Sequence, residues 1–156
     1  MMDSNYLYNM SSNELMQVRN MQAQISQKEL EIKLLDINGR YNSYDSYSSD
    51  RIKRQSIEME ISTLRNNMDI HLNNAISYAL LLAEQDIRNN HTYLISMAAY
   101  AIDSICSFLT SYIGNFKPSF LAQTKLYELS SQLMLSGINM LNLKNAIDRL
   151  KSLCNV

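Results

Sequence analysis

Residues 50–88 read DRIKRQSIEMEISTLRNNMDIHLNNAISYALLLAEQDIR, and the spacing of their apolar side chains decides the fold. Ile57, Ile61, Leu64, Met68, His71, Ala75, Tyr78 and Leu82 follow one another by alternating steps of four and three. That is a heptad pattern, which keeps one side of an α-helix against a partner helix as in a coiled coil. The stretch holds no Gly or Pro, and Asp50 is placed to cap its start. At 1.5 Å per residue the helix is about 60 Å long. Beyond Ala75 the apolar surface widens to Ile76, Ala79, Leu80, Leu81 and Ala83. The helix is therefore expected to begin in a two-helix contact and to finish deep in a bundle.

Upstream, Ser11 and Glu14 have the spacing of a capping box, in which each side chain satisfies the other's free backbone amide. That predicts a first helix over 11–37, preceded by a loose arm at 1–10 and stopped by Asn38-Gly39. Along it Val18, Met21, Ile25, Ile32 and Leu35 form one stripe, and Met16, Ala23, Leu30 and Ile37 form a second row on the opposite side. A surface helix ordinarily buries a single stripe. Two opposed stripes imply a helix sandwiched between partners, inside the fold or between subunits. Residues 39–49, GRYNSYDSYSS, carry Tyr41, Tyr44 and Tyr47 but no apolar run, and read as a solvated loop.

Downstream, Asn89-Asn90-His91-Thr92 offers caps for a third helix over 91–113, the most apolar of all. Tyr93 to Ile113 has the length of a bilayer span, but its central Asp103 would cost about 2.5–3.5 kcal/mol at mid-membrane. A buried helix of a soluble bundle is the better account, and an apolar hairpin over 75–113 that inserts into a membrane is the alternative. The last segment carries Leu126, Leu129, Leu133, Ser136, Met140, Leu143, Ile147, Leu150 and Cys154 in one unbroken register. The phase runs straight through Ser136-Gly137, so a single fourth helix over 119–153 is expected. The fold class is all-α: an elongated bundle of about four helices with long coiled-coil-like helical hairpins.

Composition agrees. Three Gly and one Pro in 156 residues are too few for a β or Rossmann-type chain. A net charge of −1 lacks the basic excess through which nucleic-acid binders neutralise phosphate. Arg51, Lys53 and Arg54 form a small basic cluster, but Glu58 and Glu60 follow closely enough to pair with it. The N-terminus has neither a basic region nor an apolar core of the signal-peptide kind, so the expected location is the cytoplasm, or export without a cleavable signal. Cys106 sits among Ile102, Ile105 and Leu109 and reads as core, and with Cys154 it makes no zinc or disulfide pattern. No Glu-x-x-His, His-Glu-x-x-His, Gly-x-Ser-x-Gly, P-loop or Rossmann motif occurs, and no cofactor, metal ligand set or small-molecule ligand is identified.

The functional expectation is a non-enzymatic interaction or structural protein that binds copies of itself or another helical protein. The contact residues on this reading are Val18, Ile25, Ile32, Ile57, Ile61, Leu64, Met68, Leu133 and Met140. Ten methionines read first as core packing, and their number adds some support for a surface that repacks around a partner. Two groups are candidates for pH sensitivity: Asp103, if its helix buries it, and His71 on the heptad seam. In its low charge, its Ser and Asn richness and its paired long helices, the chain resembles helical components of bacterial secretion machines and of virions.

Overall fold

The computed structural model describes residues 3–39, 44–89, 96–112, 116–137 and 140–156. Among them are five α-helices and no strand: α1 (Ser4–Gly39), α2 (Tyr44–Arg88), α3 (Met97–Ser111), α4 (Phe120–Met134) and α5 (Leu141–Leu153). The all-α class stands. The chain divides into two compact units, one of Met1–Met16 with His71–Val156, the other of Gln17–Ile70.

The first unit is a helical bundle. Its core is built from Leu7 and Leu15 of α1, Leu72, Ile76 and Leu80 of α2, Ile102 and Ile105 of α3, Leu126, Leu129 and Leu133 of α4, and Leu143, Ile147 and Leu150 of α5. α5 packs against both α3 and α4. Within this unit α1 and α2 run in opposite directions. The Ser11 hydroxyl donates to the Ala75 carbonyl at 2.9 Å, and Glu14 meets both His71 and Asn74. Lys125 ties α4 to α2 through Glu84 at 2.9 Å.

Two helix starts differ from the sequence expectation. α1 begins at Ser4, because Leu7 lies one turn before Ser11 and is fully buried, so extending the helix removes an apolar side chain from water. Asp3 is the actual cap: its carboxylate accepts from the Asn5 amide at 3.1 Å. Ser11 and Glu14 are therefore not a capping box but side chains that hold α2. α2 likewise begins at Tyr44, within the segment expected to be a loop, which leaves Asp50 inside the helix. Residues 40–43 of that segment, Tyr41 included, lie outside the described residues.

α3 occupies 97–111 of the expected 91–113, and 91–95 and 113 lie outside the described residues. Its cap is Ser96, which accepts from the Ala99 amide at 3.1 Å and donates to the buried Asp86 carboxylate at 2.9 Å. At fifteen residues α3 is about 22 Å long, short of a hydrocarbon core about 30 Å thick. Among the described residues no helix is long and apolar enough to cross a membrane.

The expected fourth helix is two helices, α4 and α5. The Ser136 hydroxyl and amide both turn back onto the Leu133 carbonyl, at 2.6 and 3.1 Å, and end α4. α5 then returns along α4, with the Lys151 ammonium 4.7 Å from the centre of the Tyr127 ring and Ser130 bonded to Asp148 at 3.3 Å. The seven-residue step from Leu133 to Met140 preserves the heptad phase across this reversal, so phase alone hides it.

The second unit is a helical hairpin of the C-terminal part of α1 and the N-terminal part of α2. Its ion pairs run antiparallel: Lys28 with Glu60, Arg65 with Glu29 at 3.1 Å, and Arg54 with Asp36. Arg54 also takes Glu58 one turn on, at 3.1 Å, the intrahelical pairing expected of the basic cluster. Between the ion pairs the two stripes meet. Val18, Ile25, Ile61 and Met68 are buried, and Ile32, Ile57 and Leu64 are half-buried.

Candidate interaction surface

The residues expected to contact a partner lie inside the chain. Val18, Ile25, Ile32, Ile57, Ile61, Leu64 and Met68 occupy the inner side of the hairpin, and Leu133 and Met140 are buried in the helical bundle. In this fold the seams close within the chain, because the two stripes are complementary in register and joined by a short connection. Six of the nine are buried, and Ile32, Ile57 and Leu64 are half-buried at the edges of the hairpin seam.

The second row of α1 is different. In the hairpin unit Leu30, Leu34 and Ile37 are 56%, 52% and 52% exposed, and Ala23 is exposed as well. Residues 30, 34 and 37 stand at i, i+4 and i+7, so they form one continuous stripe rather than scattered surface leucines. The opposite side of α1 is already occupied by α2, and each heptad repeats the arrangement. Single exposed apolar residues need no explanation, whereas a contiguous row of them is a candidate interaction surface. α2 carries a corresponding outward pair, Ile52 and Met59, seven residues apart.

A comparable row lies on α4 in the helical bundle. Phe120, Tyr127 and Met134 recur every seven residues, flanked by Leu121 and Leu135, and all five are exposed. They face away from the buried Leu126, Leu129 and Leu133 of the same helix. Sequence reasoning registered only the buried side of α4. The signal for the other side was present in the same seven-residue spacing that revealed the outer row of α1.

Neither pH candidate is a buried, isolated acid or base. Asp103 is exposed, and with Ser96, Tyr100, Asn142, Asn145 and Arg149 it lines an open groove of about 420 Å³ between α3 and α5. His71 is half-buried beside Glu14, and since an ionised carboxylate only accepts, the imidazole Nδ1–H donates to it at 2.5 Å. A carboxylate that the structure does perturb is Asp69, two residues earlier, whose burial pushes its pKa above the ordinary carboxylate value. In the hairpin, the Glu60 carboxylate holds the Lys28 ammonium above the usual lysine range.

Both cysteines are buried, as the core reading of Cys106 requires. Burial pushes the Cys106 thiol up to about 12 and the Cys154 thiol to about 11, from an ordinary value of 9.0. A thiol protonated so firmly is a poor nucleophile. Because the folded values are raised, the thiols' contribution to stability is complete below pH 9 and is lost as pH rises towards 11–12. Native protein at pH 8 is therefore expected to resist an aromatic disulfide reagent until urea unfolds it. A Cys106→Ala/Cys154→Ala variant should lose less stability than the parent between pH 8 and pH 10.5. Rapid labelling of the native protein would contradict this placement.

Among the described residues no group of three or more His, Cys, Asp or Glu is arranged to hold a metal ion. Comparison of the chain with protein-family models, with curated proteins and with solved structures gives no significant match.

Proposed function

We propose that this chain is a non-enzymatic structural or interaction protein that associates, with copies of itself or with another helical protein, by packing a further helix onto its outward apolar rows. The observation that carries the reading is the Leu30–Leu34–Ile37 row, about half exposed on a helix whose opposite side α2 already covers. A helix with apolar residues on two opposed sides is stable when a neighbour occupies each. The heptad spacing of both stripes favours coiled-coil-like packing for the added contact as for the internal one. Assembly of this kind is also what the compositional resemblance to secretion and virion components implies.

The chain contains no tryptophan, which makes a direct test simple. In a Leu30→Trp variant the indole is the only one in the molecule. Its emission should shift to the blue as protein concentration rises, or on addition of a helical partner, because association removes the ring from water. Emission that stays at the wavelength of an exposed indole throughout would overturn the proposal.

A further inference from the structure

Along one flank of the hairpin α1 and α2 leave an open groove of about 400 Å³. Its apolar floor is the half-buried pair Leu35 and Ile57, and the exposed Leu34 stands on its rim. The two walls carry opposite charges, Glu31 on α1 and Lys53 on α2. Both side chains are exposed. Among the described residues neither lies within ion-pair distance of an opposite charge, although the neighbouring Lys28, Asp36, Arg54 and Glu60 all do, and Glu31 acts on the Lys28 ammonium only through space.

We propose that the occupant of this groove is the same flank of a second copy, docked about a two-fold axis that runs along the hairpin. This rests on the association proposed above and names its partner. Under such an axis α1 of one copy lies against α2 of the other, antiparallel, as α1 and α2 already lie within the hairpin. Glu31 of each copy then approaches Lys53 of the other, and each Leu34 is brought over the Leu35–Ile57 floor opposite. A two-fold contact must be self-complementary. One acidic and one basic wall satisfy that requirement, whereas walls of one sign would repel their own copy. The net charge of −1 adds little long-range repulsion between copies.

Sedimentation velocity on charge-exchange variants tests the pairing. Glu31→Lys places two like-charged pairs in the dimer and should weaken it roughly ten-fold; Lys53→Glu should do the same. An equal mixture of the two variants should regain parental affinity, because the mixed dimer again holds two opposite-charge pairs. Lys53→Glu should keep the parental thermal midpoint, since the side chain is exposed, and Glu31→Lys should lower it only slightly, through like-charge contact with Lys28 one turn earlier. A mixture as weak as either variant alone overturns the pairing. So does dimerisation indifferent to either exchange, which would still leave the outward rows as the associating surface. A parent that remains monomeric at every concentration overturns the second copy as partner; the broader proposal fails separately, if the Leu30→Trp emission never responds.

Discussion

Leu133→Asp is expected to abolish the fold of the helical bundle, while Leu135→Asp, two residues along, leaves it intact. Leu133 is 1% exposed and Leu135 is 93% exposed. Removing a buried leucine side chain costs about 2–5 kcal/mol through lost transfer energy and cavity formation. The introduced carboxylate then has to be protonated or lie unpaired in an apolar interior, which adds several kcal/mol more. The sum reaches the whole stability of an ordinary domain, about 5–15 kcal/mol. At position 135 the same carboxylate remains in water, and the change should stay within about 0.5 kcal/mol. Far-UV circular dichroism and urea midpoints of the two variants decide the matter. Equal behaviour would mean that the end of α4 is not seated as described.

The second large effect separates the two sides of α1. Ile25→Ala, on the inner side of the hairpin, should destabilise by about 2–4 kcal/mol, since Ile25 is 2% exposed and its removal leaves a cavity against α2. Leu30→Ala, on the outer row, should change the stability of the dilute protein by no more than about 0.5 kcal/mol. Association should respond in the opposite sense. On the proposed association the outer substitution would remove contact area between chains, whereas the inner one removes area within the chain. Urea unfolding at low protein concentration measures the first quantity. If Leu30→Ala cost as much as Ile25→Ala in dilute solution, the outer row would be serving the fold of a single chain.

How much of this was legible in the residues depends on what periodicity encodes. It encodes which side of a helix is apolar, and there it was dependable. Every member of the Ile57–Leu82 series for which exposure is described lies buried or half-buried, and the outer row of α1 is where the spacing put it. It does not encode where a helix stops. Leu133 and Met140 keep a seven-residue phase on either side of a reversal, so one expected helix became two. Nor does it encode whether a capping pattern is used as a cap. Ser11 and Glu14 have the spacing, but Leu7 carries the helix past them and their polar groups are spent on α2 instead.

The candidate surface was half legible. The opposed stripes led to the expectation of two neighbours for α1, but nothing in the spacing said which stripe the chain itself covers. That follows from the antiparallel ion pairs Lys28–Glu60 and Arg65–Glu29, which are long-range and leave no local signature. Of the nine residues expected to bind a partner, six are buried within the chain and Ile32, Ile57 and Leu64 keep part of their surface exposed. Asp103 drew notice as an acid in an apolar run, yet a fifteen-residue helix has room for one solvent-facing side, and Asp103 stands on it.

The measurement that bears most directly on the central claim is the molar mass of the purified protein across a concentration series, by light scattering in detergent-free buffer. The parent and a Leu30→Gln/Leu34→Gln/Ile37→Gln variant should be compared. The parent's mass should climb above the 18.0 kDa of one chain as concentration increases, while the variant holds 18.0 kDa with its helical content unchanged. Parent and variant giving the same mass at every concentration would contradict the claim that the outward row of α1 joins chains.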